Sequence, residues 1–80
     1  MSKLRVLSGE DLVKIFENFG FTIVSQKGSH IKLRRINERE EKQTLTIPNH
    51  KQLDTGTCKA IFRQATKFIS SEKLHPYFYN

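Results

Sequence analysis

Leu12, Ile15, Phe16 and Phe19 recur at i, i+3, i+4 and i+7, the spacing of one buried stripe on a helix of about three turns. Ser8-Gly9-Glu10-Asp11 precedes them. The Ser8 hydroxyl is placed to accept from the Asp11 amide, and two carboxylates fall in the first turn, where the helix dipole favours them. Gly20 is positioned to end this helix in a left-handed conformation. The period then changes. Residues 21–26 and 30–35 alternate apolar with polar and are rich in β-branched and aromatic side chains, which predicts two strands. Lys27-Gly28-Ser29 between them is a hairpin connection, with Gly28 able to supply a positive φ. Residues 36–42 have no periodicity and mix both charge signs, the pattern of an exposed loop. Residues 43–47 alternate again, and Pro48 closes that strand. After a polar connector, Asp54 or Thr55 caps a second helix whose apolar stripe is Cys58, Ile61, Phe62, Ala65, Phe68 and Ile69. Lys59, Arg63 and Lys67, four residues apart, line up on its outer side.

The order α-β-β-β-α predicts an α+β fold, a three-stranded antiparallel sheet with both helices on one face. Phe21, Ile23, Ile31, Leu33, Leu45 and Ile47 would share the core face. Thr22, His30, Lys32, Arg34, Thr44 and Thr46 would carry the other. Residues 70–80 form a C-terminal tail ending in His75-Pro76-Tyr77-Phe78-Tyr79, too aromatic for an ordinary solvated end. It is expected to pack on the core or to take part in an interface. Eighty residues make a single domain, 1–80, that buries only about 60% of its unfolded surface.

Charge narrows the partners. Fourteen Lys and Arg against eight Asp and Glu give a formal charge of +6, which favours a polyanion such as RNA. One cysteine, Cys58, excludes an internal disulfide framework and points to a reducing compartment. Neither a signal peptide nor a membrane span is recognisable, so a cytoplasmic protein without a membrane partner is expected.

The chemistry concentrates at the first hairpin. His30 leaves the core side of its strand beside Lys32 and Arg34. It reads either as a surface histidine or as a general acid–base, since an imidazole exchanges protons near neutral pH. Lys27, Lys32 and Arg34 would hold phosphates, and the Gly28 and Ser29 amides could form a small anion nest. Ser29 shows no arrangement that would make it a nucleophile. His50, in Pro48-Asn49-His50-Lys51, is a polar turn residue by default and a candidate second acid–base. A zinc site from His30, His50, His75 and Cys58 lacks the close ligand pairs such sites use, and glycine patterns for nucleotides are missing. No metal and no cofactor are expected.

Ser8-Gly9-Glu10-Asp11-Leu12, Gly20-Phe21, Gly28-Ser29-His30, Ile47-Pro48-Asn49-His50 and Thr55-Gly56-Thr57 followed by Ile61 stand in an order and spacing that resembles HicA-type toxins, over about residues 4–69. The resemblance implies a fold like that of double-stranded RNA-binding domains. It also implies mRNA interferase activity, a catalytic histidine at His30, and silencing by a HicB-like antitoxin. The chain departs from duplex-binding domains in offering one lysine, Lys59, where they cluster several at the start of the last helix. The rival expectations are a non-catalytic RNA-binding module and a protein-interaction domain.

Overall fold

The computed structural model describes residues 2–80; residue 1 of the expected domain lies outside them. Its elements run α1 (Gly9–Asn18), β1 (Thr22–Lys27), β2 (His30–Ile36), β3 (Lys42–Pro48), α2 (Thr55–Ala65) and α3 (Ser71–Phe78). The strands pair antiparallel in the order β1-β2-β3. The α+β class and the order of the first five elements are as the sequence predicts, and the arrangement fits a double-stranded RNA-binding-domain-like fold with a third helix added.

Local chemistry sets the helix ends. The Ser8 hydroxyl accepts from the Asp11 amide at 2.9 Å while the Asp11 carboxylate accepts from the Ser8 amide at 2.9 Å, a reciprocal cap that satisfies two orphan donors. Asp54 caps α2 by accepting from the Thr57 amide at 2.7 Å. Gly20 follows α1 at φ 93°. Gly9 is required by proximity: a Cβ there would collide with the Pro48 carbonyl oxygen and crowd Asn49. Its amide donates to the His50 carbonyl at 2.9 Å, so the start of α1 is pressed against the end of β3.

One apolar cluster lies between the sheet and the helices. It joins Leu12, Ile15 and Phe16 of α1, Ile31, Leu33, Leu45 and Ile47 of the sheet, Cys58, Ile61 and Ala65 of α2, and Leu74 and Phe78 of α3. Fully burying each of its Leu, Ile and Phe side chains is worth about 1.5–3 kcal/mol. Phe16 anchors the middle, edge-on to Phe21 at 5.9 Å and tilted against Phe78 at 6.1 Å between ring centroids.

Four expectations change. Ile23 is not in the core: it is 49% exposed, and its neighbour Val24 45% exposed, because β1 is an edge strand whose register shifts between Ile23 and Ser25. Strands β2 and β3 extend into the supposed 36–42 loop, with Ile36 paired to Lys42. The connection shrinks to residues 37–41, held by the Asn37 side-chain oxygen accepting from the Arg39 and Glu41 amides. Helix α2 ends at Ala65, so Phe68 and Ile69 belong to the turn beyond it, where both amides donate to the Ala65 carbonyl. Residues 71–78 are helical, and Leu74 and Phe78 place that segment on the core. The chain around it pairs back to the N-terminal segment, with Arg5 donating to the Phe78 carbonyl at 2.7 Å and Asn80 to that of Lys3 at 2.8 Å.

Candidate active site

The first hairpin closes in two residues, with Lys27 opposite His30. Gly28 has φ 55° while Ser29 is not in the positive-φ region, the signature of a type II′ turn with glycine first. Outside the sheet ladder, neither the Gly28 nor the Ser29 amide has a partner among the described residues. Both remain available to an anion. The Ser29 carbonyl accepts from the Asn49 amide at 2.6 Å, which ties the turn to the chain leaving β3.

His30 sits at the start of β2, exposed on the sheet face opposite the helices. It lines a shallow depression of about 150 Å³ with Ser25, Lys27, Lys32 and Thr46. Lys32 follows His30 by two residues on the same face, about 6.7 Å along the strand. Thr46 lies opposite Lys32 on β3.

The depression exists because of the register shift in β1. Strict alternation from Phe21 would turn Ser25 and Lys27 toward the helices. One extra residue around Val24 instead places Ser25 opposite Lys32 and Lys27 opposite His30, both on the open face. Re-aiming side chains beside a site is a common role for such a bulge. Three of the sequence-derived residues, Lys27, His30 and Lys32, therefore meet, and Ser25 and Thr46 join them. Ser25 was invisible to the sequence reading because alternation sends it to the wrong face. Thr46 was legible as an outward residue but carried no chemical signal.

The remaining candidates lie apart. Arg34 continues the row beyond Lys32, its Nε donating to the Thr44 hydroxyl at 3.3 Å. Gly28 and Ser29 form the tip of the turn beside the depression rather than its lining. His50 borders a different depression with Ser8, Glu10, Asn49 and Lys51. His75 is stacked on Tyr79, ring centroids 4.5 Å apart. Cys58 is buried, and burial pushes its thiol above the ordinary value, the opposite of what a nucleophilic cysteine needs. Among the described residues, no cluster of three His, Cys, Asp or Glu could hold a metal ion, and no helix is long and apolar enough to cross a membrane.

Arg35 is the residue whose role the sequence hid. Its Nε donates to the Gln43 side-chain oxygen at 2.7 Å, and its two terminal nitrogens donate to the Phe19 carbonyl at 2.9 Å and the Phe68 carbonyl at 2.8 Å. Its guanidinium also lies 4.9 Å from the Phe21 ring centroid. One side chain thus closes the C-terminal ends of α1 and of the turn after α2, a fork geometry that lysine cannot reproduce.

A small α+β domain with an open, cationic sheet face is the class these features define. The family model described as the HicA toxin of bacterial toxin–antitoxin systems matches residues 9–66, and the chain belongs to that family. No curated protein and no solved structure matches it. The chain is a toxin of a toxin–antitoxin system.

Proposed function

We propose that the toxin is a metal-independent endoribonuclease whose catalytic group is His30. The observation that carries this reading is the exposed imidazole between Lys27 and Lys32 in one depression. His30 takes the proton from a ribose 2′-OH. The oxygen so released attacks the adjacent phosphorus, the bond to the 5′-oxygen breaks, and the products end in a 2′,3′-cyclic phosphate and a 5′-OH. Lys27, Lys32 and the Gly28 and Ser29 amides stabilise the charge that grows on the phosphoryl oxygens, and preorganised donors of this kind often supply the largest share of catalysis. Arg34 holds a flanking phosphate. His50 is the candidate donor of a proton to the leaving 5′-oxygen, and it serves only if the strand crosses the end of β3. The target is mRNA in the cytoplasm, and a HicB-like antitoxin silences the toxin by covering the His30 face.

The deciding experiment is cleavage of RNA by wild type and His30→Ala in the presence of EDTA, with end-group analysis of the products. Cyclic phosphate ends from wild type and none from the variant are expected; normal cleavage by His30→Ala would overturn the assignment. A second reading, a non-catalytic RNA-binding module, draws on the His30 ring having no hydrogen-bond partner among the described residues, so that none of them orients it. Under that reading, the wild-type protein retards RNA on a gel and leaves it whole.

A further inference from the structure

Thr46 lines two depressions. One is the His30 site; the other is a groove of about 430 Å³ between β3 and α2, whose walls include Thr57, Ala60, Arg63, Gln64 and Lys67. The two are neighbours across the free edge of β3. That edge is open in a definite way. The amides of Asn49 and Asn37 bond to the carbonyls of Ser29 and Glu41 at opposite ends of the β2–β3 pair. Alternation along the antiparallel ladder then assigns Gln43, Leu45 and Ile47 to bonding with β2. The backbone N–H and C=O groups of Thr44 and Thr46 therefore face outward, over the groove. Among the described residues, its lining carries two cations and no carboxylate, and Arg63 and Lys67 are both exposed.

We propose that this groove is a second RNA subsite. A single strand engaged at His30 passes over Thr46 and down between β3 and α2, where Arg63 and Lys67 each take one of its phosphates and the outward Thr46 amide offers a further donor. The identity of the ligand rests on the RNA reading of the His30 depression; the groove itself rests on the shared wall at Thr46 and on its one-signed charge. The subsite explains how so shallow a site could hold a substrate: grip on the strand lies around the strand edge, away from the reacting phosphate.

The test uses the full chain and 2′-O-methylated oligonucleotides, which bind but cannot be cut by transesterification. Arg63→Gln with Lys67→Gln is expected to weaken binding of a decanucleotide about tenfold while leaving dinucleotide affinity unchanged. The slope of log affinity against log salt should flatten by about 1.4, at about 0.7 per phosphate on a single strand. Lys3→Gln with Lys73→Gln removes the same charge from exposed positions away from the groove and should leave decanucleotide binding nearly intact. Arg63→Lys should restore most of the affinity, and unaltered thermal midpoints exclude misfolding as the cause. Equal losses in the two double variants, or none in either, would overturn the proposal. So would retained RNA affinity together with lost binding of a HicB-like protein, since the groove would then be a protein site. If wild type fails to cut RNA but the length-dependent loss appears, the nuclease reading falls and the subsite stands.

Discussion

The two hairpins of the sheet are built on opposite principles. At the β2–β3 end the loop satisfies itself: the Asn37 side chain bonds Arg39, Glu41 and its own turn, and Glu40 takes φ 62° to close it. The depression there is the larger, about 570 Å³, yet its walls carry Glu38 and Glu41 beside Arg35 and Arg39, and Arg35 is already committed to three internal acceptors. At the β1–β2 end, among the described residues, the turn has no such internal bonding, its cations face no carboxylate in the depression, and its histidine is unpartnered. A larger hollow whose polar groups are spent on the fold offers a ligand less than a shallow one whose groups are free. Arg34 and Arg35 show the same contrast within two residues, one outward in the cationic row and the other inward as a clamp.

That comparison breaks most visibly at His30. His30→Ala should lower RNA cleavage by about 10²–10⁴-fold, the usual worth of a positioned base, while a thermal melt stays within about 0.5 kcal/mol of wild type, as for most surface substitutions. Lys32→Gln should come next: it takes a preorganised cation away from the reacting phosphate, a loss worth about 10²-fold in rate; single-turnover cleavage measures it. On stability, Arg35→Ala should cost about 2–3 kcal/mol by urea unfolding, because two carbonyls lose their donors. Arg35→Lys should recover only part of that, and Arg34→Ala should cost little. Gly9→Ala should destabilise by about 1–3 kcal/mol through overpacking against Pro48.

The smallest effect concerns pH. The Ser8 amide, through its hydrogen bond, holds the Asp11 carboxyl below its ordinary value of 3.8, and Thr57 does the same for Asp54. A carboxylate with a depressed folded-state pKa stabilises the fold above the ordinary value, and that contribution is lost as pH falls through the folded one. Thermal midpoints should therefore drop in the acid range below about pH 4, and Asp11→Asn should blunt the drop.

Much of this was legible in the sequence, for identifiable reasons. Ser8 announced its cap, and Asp54 was one of two candidates for the second, because N-terminal helix signals are local. The alternation in β2 and β3 placed His30 and Lys32 outward, since both faces of those strands meet well-defined surroundings. What failed was non-local. Ile23 lies opposite Leu33 but at the open edge of the sheet, which alternation does not reveal, and the bulge around Val24 has no local marker, so Ser25 was missed. Helix α3 was hidden by Pro76, which costs about 3 kcal/mol in a helix interior; burial of Leu74 and Phe78 outweighs it. The Ser70 cap, accepting from the Lys73 amide at 3.3 Å, was a signal the sequence did offer. Arg35 looked like one more surface cation because its three acceptors lie 8, 16 and 33 residues away.

The bond from Asn49 to Ser29 has a bearing on control. With His50 next along the chain gripping Gly9, the bend that presents the imidazole is riveted to the beginning of the first helix. A hinge has no room to work there. Shutting the toxin off by pulling that corner out of shape would mean prising apart the packed core behind it, so the economical inhibitor is a lid laid over the open face from outside.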